Sequence, residues 1–262
     1  MNFAEIELRE RNQEWSMTDL QSHDYFELYI LLEGTRLFFI DDKFFSVTAP
    51  AVCIIPPFRM HKTEGDAYKR INVNVSADLL SINEKKFLNK LGEKVAFKLD
   101  VEKSELFLSL LKKAATYNPQ NALDKQPTEA FIHVLLLLME QDCLLPFTEK
   151  MEFPKAKSKS IITEIIEYIG HHYKEDFSIN DICARFFISK NTLCLQFRAL
   201  MHCSIMQYRQ FIRISKAKEL LSLGKKNLNE IADECGFSSA NYFSLIFKKE
   251  VGISPSNYRK AK

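Results

Sequence analysis

From residue 24 to residue 75 the apolar positions come in short runs, broken at regular intervals by turn formers. Residues 25–32 (YFELYILL) run up to Glu33-Gly34, and residues 36–40 (RLFFI) run up to Asp41-Asp42-Lys43. Residues 44–47, 52–55 and 71–75 continue the pattern. Runs this short and β-rich predict a small antiparallel barrel or sandwich. Pro56-Pro57 has to leave the ladder, because neither residue has an N–H to give. Beyond residue 76 the period lengthens, and helices are predicted over 78–91, 104–117 and 128–145. Ser104 and Thr128 are the expected N-caps, with Pro127 just ahead of the last helix. Residues 146–159, with two prolines and four lysines, read as a linker, and everything from residue 160 onward reads as helix. The expected fold class is therefore α+β: a barrel over 1–76, a helical segment over 77–145, the linker, and an all-α domain over 160–262.

The helix from Thr128 is apolar around most of its circumference, at Phe131, Ile132, Val134, Leu135, Leu136, Leu137, Leu138 and Met139. So wide an apolar surface needs cover on more than one side. Either a second copy of the chain supplies it, making a homodimer, or the helix is sandwiched between the barrel and its neighbours.

Composition sharpens the division. The 262 residues are 46% hydrophobic, enough for two cores, which excludes a disordered chain, a collagen and a disulfide miniprotein. The net charge of +2 hides an asymmetry: residues 1–150 carry −5 and residues 151–262 carry +7. A basic back half points to a polyanion as its partner. The six cysteines form no CxxC pair and the first ten residues are already charged, so free thiols in a cytoplasmic setting are expected. The longest apolar run, 134–139, is far too short to span a bilayer, and no membrane partner is expected.

The basic half contains an internal repeat. At an offset of 49, Ile182-Cys183 aligns with Ile231-Ala232 and Ile188-Ser189 with Phe237-Ser238. After one added residue, Leu193 aligns with Phe243, Phe197 with Phe247, Ser204 with Ser254, and Tyr208-Arg209 with Tyr258-Arg259. Each unit reads as helix, tight turn, helix, with Gly236 at the second turn. A helix-turn-helix presents its second helix with one face free. Taking Leu193 as inward, Asn191, Leu195 and Arg198 point outward, with Lys190 and Cys194 at the flanks. Taking Phe243 as inward, Asn241, Leu245 and Lys248 point outward beside Ser244. Asparagine with a nearby cation suits the major groove of double-stranded DNA, where it reads adenine while Arg or Lys reaches guanine or phosphate.

These residues resemble the DNA-binding domain of the AraC/XylS family of bacterial transcription regulators. The likeness is carried by Ile231-Ala232, Gly236-Phe237, Tyr242-Phe243, Phe247-Lys248-Lys249, Gly252 and Ser254-Pro255-Ser256-Asn257-Tyr258-Arg259. It implies two helix-turn-helix units joined by a long helix, here about 205–223, with two recognition helices in successive major grooves. It also implies a sequence-specific regulator, expected to be an activator, with RNA polymerase as a further partner and a second copy of the chain as another. Leu195 and Leu245 depart from the family pattern, where arginine is common. Leucine can touch a thymine methyl but cannot grip guanine, so an A·T-leaning site is expected. His202 stands at the position matching Gly252 and Phe187 at the one matching Gly236, which makes the first unit the less typical.

The front half resembles the cupin-type ligand-binding domain often fused to this DNA-binding domain, at His23, Glu27, Gly34, Pro56-Pro57 and His61. The usual Gly-Asp between strands is replaced by Ala49-Pro50-Ala51. His23, Tyr25, Glu27 and Tyr29 alternate onto one strand face. If that face lines the barrel it suits a small, sugar-like polar effector, with Arg36, Phe38 and His61 as further pocket residues. If it points outward, Phe26, Leu28 and Ile30 fill the barrel instead. A metal-dependent cupin enzyme would use His23, Glu27 and His61 as ligands, but the paired His-x-His of metal cupins is missing. No phosphate loop, nucleophile triad or paired catalytic carboxylate is evident, so neither an enzyme nor a cofactor is expected. A third alternative is a ligand-independent regulator whose front half binds a protein partner.

Overall fold

The computed structural model describes residues 3–17, 19–118, 121–146 and 161–261. All of the linker expected over 146–159, apart from the backbone of Pro146, lies outside the described residues.

The strands are β1 (Ala4–Arg11), β2 (Trp15–Ser16), β3 (Tyr25–Ile40), β4 (Lys43–Thr48), β5 (Ala51–Ile55), β6 (His61–Gly65), β7 (Tyr68–Ser76), β8 (Ala96–Leu99) and β9 (Leu144–Pro146). They pair antiparallel throughout. The 16-residue β3 organises the barrel. Its first half pairs with β5 and β7, and its second half with β4 and β6. The expected turn at Glu33-Gly34 is instead a bulge within this continuous strand. Gly34 takes φ +93°, and a Cβ there would lie 2.4 Å from the Ala67 carbonyl oxygen. Glycine at the bulge lets one strand bend from one sheet into the other. At Asp41-Asp42 the expected turn does form, joining β3 to β4 in a two-residue hairpin.

Three helices cover one outer face: α1 (Ile82–Gly92), α2 (Glu105–Ala114) and α3 (Ala122–Leu138). Ser104 precedes α2 as expected, but its hydroxyl is turned back to the Asp100 carbonyl and caps nothing. The third helix starts six residues before Thr128, capped by Asn121, and Pro127 lies inside it. Thr128 is not a cap; its hydroxyl donates to the Asp124 carbonyl. After Leu138 the chain makes a wide π turn and then pairs with β8, so 144 and 145 are strand where helix was expected. Phe26, Leu28 and Ile30 of β3 pack with Ile132, Leu135, Leu136 and Met139 of α3 in one core. The opposite face of the strand, at Tyr29 and Leu31, belongs to the barrel interior with Phe38, Phe45 and Tyr68.

The C-terminal half contains α4 (Ile161–His172), α5 (Ile179–Arg185), α6 (Lys190–Met201), α7 (Ile205–Leu223), α8 (Leu228–Glu234), α9 (Ala240–Val251) and α10 (Pro255–Lys260). Serine and asparagine caps mark the starts: Ser178, Ser189, Ser204, Asn227, Ser239 and Ser254 each accept from the backbone of the following turn. Phe39, Phe44 and Met60 of the barrel share a core with Ile162, Ile166, Phe197 and Tyr208. Polar contacts reinforce this junction. Tyr208 donates to the Asp41 carbonyl at 2.8 Å, Ser215 to the Phe58 carbonyl, and Lys62 to the Leu200 carbonyl.

Candidate functional site

Two sites emerge, one on each half. On the basic half, α5–α6 and α8–α9 are the two helix-turn-helix units, and α7 runs between them. Arg209 and Arg213 of α7 are buried and tie it to the α4–α5 connection, donating to the carbonyls of Glu175 and Phe177 and of Tyr173, Lys174 and Glu175. The second unit is fastened to the same connection by Gly236. Its φ is +78°, and a Cβ would sit 2.4 Å from the Lys174 carbonyl oxygen. The matching Phe187 adopts φ +51° with its ring 97% exposed, because nothing packs against that turn. His202 and Gly252 both close their helices in the left-handed conformation, as their alignment implies.

Leu193 and Phe197 of α6 and Phe243 and Phe247 of α9 are fully buried, which fixes the opposite faces outward. Lys190, Asn191, Cys194, Leu195 and Arg198 are exposed on α6, as are Asn241, Leu245 and Lys248 on α9. Ser244 is half-buried. The structure thus brings each expected group onto one free helix face.

On the acidic half, the face carrying Tyr25, Glu27 and Tyr29 lines a cavity of about 240 Å³ inside the barrel, with Phe38, His61, Arg70, Asn72 and Asn74 among the other walls. This settles which face of β3 is inward. His23 lies at its edge, stacked on Tyr25 at 3.8 Å, and lines a neighbouring cleft against α7. Arg36 is not a wall residue. It is fully buried and donates to the Trp15, Gly65 and Asp66 carbonyls and the Thr63 hydroxyl, between the Trp15 and Tyr68 rings.

Glu27 is the hub. It accepts from His23 Nε2 at 3.0 Å, from His61 Nε2 at 3.2 Å and from Asn72 Nδ2 at 2.6 Å. Burial alone would raise its pKa, but the two imidazole hydrogen bonds hold it well below the usual carboxylate range. Desolvation lowers His23, while for His61 the Glu27 contact outweighs desolvation and lifts the imidazole above its ordinary value. Burial pushes the Tyr25 phenol up to about 12. Donor atoms of His23, Glu27 and His61 lie within 4.8 Å of one another, a set able to hold a metal ion. Without one, the carboxylate is already satisfied by the two rings.

Sequence reasoning missed Arg70, Asn72 and Asn74. Their signal was legible as alternation against Ile71, Val73 and Val75 in β7.

A sequence profile for the helix-turn-helix domain matches residues 182–261. An uncharacterised HTH-type transcriptional regulator of Bacillus subtilis, YfiF, is 25% identical over 251 residues, spanning 92% of this chain and 79% of its own length. The HTH-type transcriptional activator RhaR of Escherichia coli is 24% identical over 246 residues, spanning 91% of this chain and 86% of its own. The DNA-binding domain of AdpA, solved in complex with a target DNA, is 28% identical and covers 39% of this chain and 93% of its own, with a TM-score of 0.38. Paired helix-turn-helix units with free outer faces, together with this profile match, define a DNA-binding transcription regulator. Its DNA-binding half, residues 182–261, is of the helix-turn-helix class. Among the described residues no helix is long and apolar enough to cross a membrane.

Proposed function

We infer that this regulator is an effector-responsive, cytoplasmic activator without enzymatic activity of its own. A small polar molecule enters the barrel cavity and alters how the barrel docks on α6 and α7, and hence how the recognition helices meet DNA. The observation that carries this reading is the adjacency of His61 and Lys62 on β6. His61 contacts Glu27 inside the barrel, while Lys62 reaches the Leu200 carbonyl in the last turn of α6. Neighbouring residues of a strand point to opposite faces, so a shift at one face is felt at the other. The polar cavity favours a small ligand over a protein partner for the front half.

On DNA, Asn191, Asn241 and Arg198 read base edges, Lys190 and Lys248 hold phosphate, Cys194 and Ser244 lie alongside, and Leu195 and Leu245 meet thymine methyls. The exposed Leu123, Val134 and Leu137 of α3 support a homodimer through this helix, and an activator engages RNA polymerase once bound. Selection from a random DNA pool with the full chain tests the reading. A motif with two half-sites about one helical turn (about 34 Å) apart is expected. Binding that is salt-sensitive but unselective refutes it.

A further inference from the structure

The barrel cavity is polar in an unbalanced way. Several buried atoms in or beside it have no hydrogen-bond partner among the described residues: Tyr29 Oη, Tyr68 Oη, Arg70 Nε, Asn72 Oδ1 and Asn74 Oδ1. Tyr29 is 1% exposed and Arg70 8%, so both groups sit away from bulk solvent. Unpaired polar atoms cost free energy when buried, and Tyr29, Arg70, Asn72 and Asn74, which carry four of these five, all line the same cavity.

Their chemistry specifies the ligand. The Arg70 guanidinium lies over the Tyr29 ring at 4.6 Å and only 3.8 Å from Glu27, beyond hydrogen-bond reach. Glu27 is already occupied by His23, His61 and Asn72. Behind the wall, Arg36 makes no ion pair among the described residues; only neutral oxygens receive its N–H groups. Arg70 at the wall and Arg36 behind it therefore bring two positive charges, while the one carboxylate that lines the cavity, Glu27, is already engaged. That excess attracts an anion to the cavity. A carboxylate suits the open donors of Arg70 and Tyr29. The unpartnered amide oxygens of Asn72 and Asn74, two apart on β7, ask for hydroxyl donors. A cavity of about 240 Å³ is below the usual drug-sized range of roughly 300–1,000 Å³, which keeps the molecule small.

We propose that the effector is a small hydroxylated carboxylate, of the sugar-acid class, with its carboxylate on Arg70 and Tyr29 and its hydroxyls on Asn72 and Asn74. This rests on the effector reading above and narrows it from a neutral sugar to an acid.

The test is calorimetric titration of the full chain with gluconate and galacturonate, set against glucose and galactose. At least one acid is expected to bind, and more than tenfold more tightly than either neutral sugar. Arg70→Gln is expected to lose acid binding by at least a hundredfold, and the isosteric Tyr29→Phe by about tenfold, with unfolding curves confirming that both fold. Binding of the neutral sugars with equal or greater affinity overturns the acid assignment and leaves the effector reading standing. Acid binding that is unchanged in folded Arg70→Gln also overturns it. No binding of any of the four to a chain that still selects its DNA motif overturns the acid assignment; selection of no motif overturns the regulator mechanism itself.

Discussion

The ammonium of Lys62 donates to the carbonyl of Leu200, across 138 residues of sequence, from a side chain only 2% exposed. The acceptor is one of the last carbonyls of α6, which have no partner within the helix. The cation therefore holds the C-terminal end of the first recognition helix, where the helix dipole also favours positive charge. Replacing it with an isosteric apolar residue leaves that carbonyl unsatisfied, at about 1–3 kcal/mol. Lys62→Met is expected to speed amide exchange in the last turn of α6 and to make DNA affinity less dependent on effector. Unchanged exchange there would show that the contact carries no coupling.

The two faces of DNA recognition separate by substitution. Asn191→Ala is expected to relax base preference at one position, at about 1–3 kcal/mol of discrimination. Lys248→Ala is expected to weaken all sites alike and to reduce the salt slope by about one. Leu195→Arg is expected to add a preference for guanine. Binding-site selection with each variant at two salt concentrations checks all three.

Both turns hold a positive φ that favours glycine, so opposite substitutions at them are expected to have opposite effects. Phe187 holds a left-handed backbone without packing in return, so Phe187→Gly is expected to stabilise the chain by about 1 kcal/mol. Gly236→Ala forces a Cβ against Lys174 at a positive φ and is expected to cost roughly 1–3 kcal/mol. Denaturant unfolding measures both, and changes of the same sign would refute the comparison.

The Glu27 cluster sets a pH optimum. Glu27, with its pKa depressed on folding, contributes stability above its ordinary value of 4.5, and this is lost as pH falls toward the folded value. His23, also lowered, contributes above 6.5 and loses that as pH falls. His61, raised on folding, contributes fully below 6.5 and loses it as pH rises through the folded value. Thermal stability is expected to peak near pH 6.5 and fall on both sides. His61→Gln should remove the alkaline decline; a decline of undiminished steepness would place its cause elsewhere.

The helical half was legible because the repeat fixes register and the caps mark each start. The structure places α7 on the residues, 205–223, that the family resemblance implied for the joining helix. The barrel was harder to read, for identifiable reasons. Gly34 looks the same in a turn and in a bulge; only the Ala67 backbone opposite distinguishes them. Both faces of β3 are buried, one by helices and one by the cavity, so alternation alone did not say which was inward. Pro127 looked like a helix start because its missing N–H is harmless in the first turn, yet Asn121 supplies an earlier cap. Contacts such as Lys62 to Leu200 leave no mark in local sequence at all.

Because Phe39, Phe44 and Met60 lie in one core with Ile162, Ile166, Phe197 and Tyr208, the surface of the DNA-binding half is completed by the barrel. Cutting the chain between them would lay an apolar scar on both pieces. A truncated helix-turn-helix fragment would then be prone to stick to itself, and its affinity for DNA would describe a molecule that the intact chain never presents.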